Sequence, residues 1–197
     1  MKIQISPSKA YGEITVPPSK SISHRAIICA ALSHGISHIY PIYKSDDVLA
    51  TISCLNSFGI NFDYNIFSNK NSGEKEFSDL YVTGLSPQNF KNDEILNCNE
   101  SASTLRFLIP LALISGKKFT FTGSNTLFSR SLKEYEDLCR NNNLLFSQNG
   151  NHLIIKGPLK PGTYIFHDNI SSQFITGMLF TLSLLPGDSR LIVPDNQ

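Results

Sequence analysis

The chain has 197 residues, 17 Lys plus Arg against 16 Asp plus Glu, 41% hydrophobic residues and no Trp, enough for one or two globular domains of ordinary composition. A net charge of +1 supplies no field to gather a polyanion or an anionic lipid surface, so nucleic acid and membrane are set aside as partners. No apolar run approaches the roughly 20 residues of a membrane span, and the N-terminus has no secretory signal pattern, which makes the cytoplasm the expected location.

The first predicted helix opens at Ser19, runs apolar for about three turns and stops at Gly35; a short β-type run, residues 37–40, follows. A second helix covers 45–59, with Val48, Leu49, Ile52 and Leu55 on one face, and strand-like pieces follow at 60–67 and 79–84, joined by a turn at Asn69–Gly73. The pattern then starts again. A helix opens at Glu100 and stops at Gly116, a β-type run covers 117–121, and a second helix covers 129–143, with Leu132, Tyr135, Leu138 and Cys139 on one face. Strands at 144–148 and 152–157, turning at Asn149–Asn151, complete this unit. A third copy opens at Ser171, stops at Gly187 and has its β-run at 190–193.

The repeating unit reads strand, helix, strand, helix, strand, strand, at a spacing of about 70 to 80 residues, which suits duplicated units packed around one core. The fold class expected is α/β (α+β), with two and a half units present, bounded at 19–99, 100–170 and 171–197. A third unit stopping halfway reads as truncation.

Chemistry concentrates at the helix starts. After Pro17 and Pro18, the first helix carries Lys20, Ser21 and Arg25 in its opening turns, and Ser21 and Arg25 share a face. Free backbone N–H groups and the helix dipole favour an anion there; solvated charges on a capped helix are the other reading. Ser101–Ala102–Ser103 and Ser171–Ser172–Gln173 stand at equivalent positions, so three helix starts packed around an axis would converge on one phosphate or carboxylate ligand. Arg130 would be a further cation, while Arg106, inside an apolar face, reads as an internal brace. Asp46 and Asp47 open a helix and read as capping residues. His24 lies near Ser21 without the third member of a catalytic triad. The four cysteines, 29, 54, 98 and 139, form no C-x-x-C pair and the five His show no ligand spacing, so reduced thiols and no metal are expected.

The segments 17–32, 45–60, 99–113, 121–138 and 171–180, in this order and spacing, resemble the 5-enolpyruvylshikimate-3-phosphate synthase (3-phosphoshikimate 1-carboxyvinyltransferase) family across essentially the whole chain. The resemblance implies two domains of three βαβαββ units with the active site between them. Residues 1–18 would then be a first strand and crossover of the second domain, and 19–197 the substrate-binding domain of an N-terminal half. It implies transfer of the enolpyruvyl group of phosphoenolpyruvate to the 5-hydroxyl of shikimate-3-phosphate with release of phosphate, without metal or organic cofactor, in the shikimate pathway of aromatic amino-acid biosynthesis. By the same resemblance Lys20, Ser21, Arg25, Ser171, Ser172 and Gln173 would hold shikimate-3-phosphate. Lys20, Ala102, Arg130 and Gln173 would stand at phosphoenolpyruvate, with Ala102 where many members have Gly. The acid and base would lie beyond Gln197, in the missing half that is the expected partner of this one, and the full-length form would be a monomer. The alternatives are a phosphate-binding remnant, half of a split enzyme, or the related transferase acting on UDP-N-acetylglucosamine.

Overall fold

Each inner helix begins with the same device. Ser19, Ser101 and Ser171 turn their side-chain oxygens onto the N–H groups of Ile22, Thr104 and Gln173, at 3.4, 3.2 and 3.3 Å, which satisfies a donor that the first helical turn leaves without a partner. In the computed structural model, which describes residues 3, 4, 6, 7, 9, 11–14, 16–65, 77–166 and 170–193, these caps open α1 (Lys20–Leu32), α3 (Ala102–Ile114) and α6 (Ser172–Leu182).

Between them the chain follows the expected order. After α1 come β1 (Ile36–Tyr43), α2 (Asp46–Ser57), β2 (Asn61–Asn65) and β3 (Phe77–Thr83). The second unit has β4 (Glu94–Asn97), α3, β5 (Lys118–Thr122), α4 (Asn125–Phe128), α5 (Lys133–Asn141), β6 (Leu145–Asn149) and β7 (His152–Lys156). Then β8 (Thr163–Ile165), α6 and β9 (Arg190–Ile192) follow. The turn expected at Asn69–Gly73 lies outside the described residues.

Sheet order carries the repeat into three dimensions. The first sheet runs β1-β3-β2 and the second β4-β5-β7-β6, so β5-β7-β6 reproduces the first sheet, and the parallel pair β8-β9 reproduces β4-β5. The strands β4 and β8 thus open the second and third units several residues ahead of the starts at 100 and 171; at four and three residues they are too short to carry a legible alternation. The helix expected over 129–143 is α5, which starts only at Lys133; a separate short helix, α4, capped by Ser124, precedes it. Leu127, Phe128 and Leu132 are buried on either side of the break between them.

The same close approach recurs in both complete units. A Cβ on Gly84 would sit 1.9 Å from the Ser33 carbonyl oxygen, and one on Gly157 would sit 1.8 Å from that of Leu113. Only glycine lets the end of β3 pass the C-terminus of α1, and the end of β7 that of α3. The second inner helix, α3, is buried on nearly every side and forms the centre of the core, where β-sheet residues Phe119, Phe121, Leu153 and Ile155 pack beneath it. The described residues ahead of Pro17 are exposed and belong to no helix or strand, with Tyr11 97% and Ile14 88% accessible. Among the described residues, no helix is long and apolar enough to cross a membrane.

Candidate anion-binding site

The first turns of α1, α3 and α6 lie at one end of the molecule, joined by side chains. The Arg25 guanidinium donates to the Thr176 hydroxyl at 3.0 Å, linking α1 to α6, and sits 5.3 Å from the Phe107 ring centroid of α3. Gln173 ties α6 to α3 twice. Its Nε2 donates to the Ser103 hydroxyl at 2.8 Å, while its Oε1 accepts from Arg106 Nη1 at 2.9 Å. A donor on one side and an acceptor on the other fix which way the amide faces.

Lys20 and Ser21 are the first two residues of α1, and both are exposed. The Lys20 ammonium reaches across to Asp47 at the start of α2, at 2.5 Å, and these two line a cavity with Ser45, Asp46, Asn99 and Glu100. The Ser21 carbonyl accepts from Arg25 Nη1 at 2.9 Å. Arg25 is thereby held at both nitrogens. Ser171 caps α6, Ser172 is its exposed first residue, and Ala102, 8% accessible, is the first residue of α3.

Arg106 spans the apolar face as an internal brace. It stacks 4.7 Å from the Phe174 ring centroid and points its second nitrogen at the Ser131 carbonyl, 3.5 Å away. Burial lowers its pKa; the nearby Tyr135 opposes that shift, and the positive charge of Arg130 adds to it. None of Arg25, Arg106 and Arg130 has a carboxylate partner among the described residues, whereas Lys20, Lys118, Lys133 and Arg140 do. Three cations left uncompensated beside the N-termini of three helices make a region of positive potential suited to an anion.

His24 takes no part in a nucleophilic pair with Ser21. It is fully buried against α2, with Nδ1 2.7 Å from the Thr51 hydroxyl. Burial pushes its pKa down to about 4; Asp47 opposes this shift, and the Lys20 and Arg25 charges add to it. The four thiols are free, with Cys54, Cys98 and Cys139 buried, and the fold brings the sulfurs of Cys54 and Cys98 to 4.0 Å. Among the described residues no three His, Cys, Asp or Glu side chains gather as a metal site requires.

Sequence reasoning missed Thr176, the Asp47 carboxylate as the partner of Lys20, and the buried hydroxyls behind His24. A Thr at an otherwise apolar helical position is the one signal that was available for Thr51 and Thr104.

Comparison with known proteins establishes the family and the fold. The profile of EPSP synthase (3-phosphoshikimate 1-carboxyvinyltransferase) matches residues 5–195. A 3-phosphoshikimate 1-carboxyvinyltransferase of Clostridium novyi (strain NT) is 44% identical over 193 residues, which cover 97% of this chain and 44% of the relative. One from Clostridium perfringens (strain SM101 / Type A) is 41% identical over 194 residues, covering 98% of this chain and 43% of the relative. The fold matches EPSP synthase from Acinetobacter baumannii with a TM-score of 0.74 at 19% identity, over 94% of this chain and 41% of that one. The chain thus spans less than half the length of the curated relatives it matches. With profile, relatives and fold in agreement, the chain belongs to the EPSP synthase (3-phosphoshikimate 1-carboxyvinyltransferase) family.

Proposed function

We propose that this chain forms the shikimate-3-phosphate side of an active site that transfers the enolpyruvyl group of phosphoenolpyruvate to the 5-hydroxyl of shikimate-3-phosphate, releasing phosphate. One observation carries the reading: Arg25, Arg106 and Arg130 have no carboxylate partner among the described residues, at the end where three capped helix N-termini meet. Both substrates are polyanions, so preorganised cations and N–H dipoles supply alignment and charge stabilisation.

In this reading Ser171 and Ser172 offer the α6 N-terminus and their hydroxyls to the shikimate phosphate, while Lys20, Ser21 and Arg25 hold the same ligand from α1. Gln173, fixed between Ser103 and Arg106, stands between the two substrates. Arg130 takes the phosphoenolpyruvate carboxylate or phosphate, with Lys20 and Ala102 at the same pocket. Residues 1–18 belong to a second domain that closes over this one. His24 is buried and Asp47 is ion-paired, so neither is free to shuttle protons. The acid and base come from that second domain, and the 197 residues alone bind without turning over.

Calorimetric titration of the chain with shikimate-3-phosphate tests this. Arg25→Ala and Ser172→Ala should each weaken binding about three- to tenfold, the loss of one charge-assisted or hydroxyl contact in an open site. Binding of UDP-N-acetylglucosamine in place of shikimate-3-phosphate, or equal affinity in Arg25→Ala, would overturn it.

A further inference from the structure

Beneath the proposed site runs a hydrogen-bonded chain that the anion contacts do not use. His24 Nδ1 lies 2.7 Å from Thr51 Oγ1, Thr51 Oγ1 lies 2.7 Å from Thr104 Oγ1, and Thr104 Oγ1 lies 2.7 Å from Ser101 Oγ. His24, Thr51 and Thr104 are fully buried and Ser101 is 2% accessible. Three helices are joined this way: α1 through His24, α2 through Thr51 and α3 through Thr104 and its cap. Valine would fill the place of either threonine without a polar group to satisfy, so packing alone does not account for the hydroxyls.

The chain has a direction. His24 Nε2 is buried with no partner, and an orphaned N–H is tolerated less well than a bare lone pair. The tautomer is therefore Nδ1–H, which donates to Thr51. Each hydroxyl has one proton, shared between two acceptors: Thr51 donates to Thr104 and to the Asp47 carbonyl, and Thr104 donates to Ser101 and to the same carbonyl. The Asp47 carbonyl faces both threonine hydroxyls at 3.3 Å, and its carboxylate holds Lys20. The first turn of α2 is thus clasped between the buried chain and the Lys20 ammonium.

We propose that His24, Thr51 and Thr104 are positioning residues: their buried chain sets the spacing of the α1, α2 and α3 N-termini and, through Asp47, fixes the Lys20 ammonium in the anion site. As a claim about ligand binding it rests on the function proposed above; as a claim about Lys20 it stands by itself.

The test reads both. Acylation of Lys20 by an N-hydroxysuccinimide ester, followed by mass spectrometry, should speed up about threefold in Thr104→Val and in Thr51→Val, because Asp47 no longer holds the amine. Lys118, 3.0 Å from Asp93, is the internal control and keeps its rate. Thr104→Ser and Thr51→Ser keep the hydroxyls and restore the parent rate. His24→Asn, which can still donate to Thr51, serves as a second conservative variant should a valine variant fail to fold; it keeps the parent rate, and His24→Leu raises it. In parallel, shikimate-3-phosphate affinity should fall about three- to tenfold in Thr104→Val, with no further fall when Thr104→Val is added to Lys20→Ala.

An unchanged Lys20 rate in folded Thr104→Val, or an equal loss of affinity with and without Lys20, overturns the proposal. A chain that binds no shikimate-3-phosphate yet has the Lys20 response refutes the proposed function and upholds the positioning role.

Discussion

The hydroxyl of Tyr135 donates a 2.6 Å hydrogen bond to the backbone carbonyl of Arg106, the acceptor that Pro110, with no N–H, leaves without its helical partner four residues on. A proline inside the central helix is accommodated by a side chain from α5, and the same contact anchors the helix turn that carries the Arg106 brace. The phenol is fully buried, and burial raises its pKa well above the ordinary tyrosine value, with Arg106 opposing the shift.

Tyr135→Phe should therefore destabilise the chain by about 1–3 kcal/mol, the cost of leaving a buried carbonyl unpaired. Urea denaturation measures it. In a Pro110→Ala background, where residue 110 regains the N–H that pairs with Arg106, the same substitution should cost less than half as much. Equal costs in the two backgrounds would refute the link between Pro110 and Tyr135.

Gly177 decides how closely α6 approaches α3. A Cβ there would meet the Arg106 carbonyl oxygen at 2.5 Å, Tyr135 Oη at 2.6 Å and Pro110 Cγ at 3.1 Å. Helix propensity alone favours Gly177→Ala by about 1 kcal/mol. Overpacking of about 1–3 kcal/mol opposes it, and two of the three neighbours belong to backbone or proline and cannot swing away. The expected outcome is a lower melting temperature, together with weaker binding of the ligand proposed above, because Gln173 loses its register with Arg106. A higher melting temperature would show that the helices can separate freely.

His24 makes stability depend on pH. Its pKa is held at about 4 in the folded chain, against an ordinary value of 6.5, so the unfolded state binds the extra proton over this range. The stabilisation is complete above pH 6.5 and is lost as the pH falls toward 4, with a total on the order of 3 kcal/mol. Denaturation midpoints measured from pH 7.5 to 4 should fall in the parent and fall less in His24→Asn, in which this titrating group is gone. Parallel pH profiles would exclude His24 as the source.

Thiol reactivity should separate one cysteine from three. Cys29 is exposed on α1, although partial burial raises its pKa too, whereas Cys54, Cys98 and Cys139 are buried; burial pushes the Cys139 pKa up to about 12, and burial together with Cys54 raises that of Cys98. Since the thiolate is the reactive form, one equivalent of a disulfide reagent should react quickly with the native chain and three more only on unfolding. Fast reaction at two or more sites would mean that the core around β4 and α2 opens readily.

The sequence by itself determined the parts of this protein that repeat and the parts that are local. Serine caps, apolar runs of about three turns and terminal glycines at 35, 116 and 187 place the three inner helices, because capping and helical periodicity depend on residues within one or two turns of each other. The strands after each helix were legible for the same reason, and the motif resemblance named the family. Only the tertiary structure decided which side chains meet. The pairs Arg25–Thr176, Gln173–Ser103, Lys20–Asp47 and Thr51–Thr104 are separated by 151, 70, 27 and 53 residues. No local pattern encodes such separations. His24 lies beside Lys20 and Arg25 in sequence, yet the packing of α1 on α2 and α3 turns it inward, where its charge is suppressed and its hydrogen bond runs to a threonine on another helix. Sheet order was undecidable for a related reason: the short strands β4 and β8 carry too few residues to reveal their partners, and only the parallel ladders to β5 and β9 assign them to the units they open.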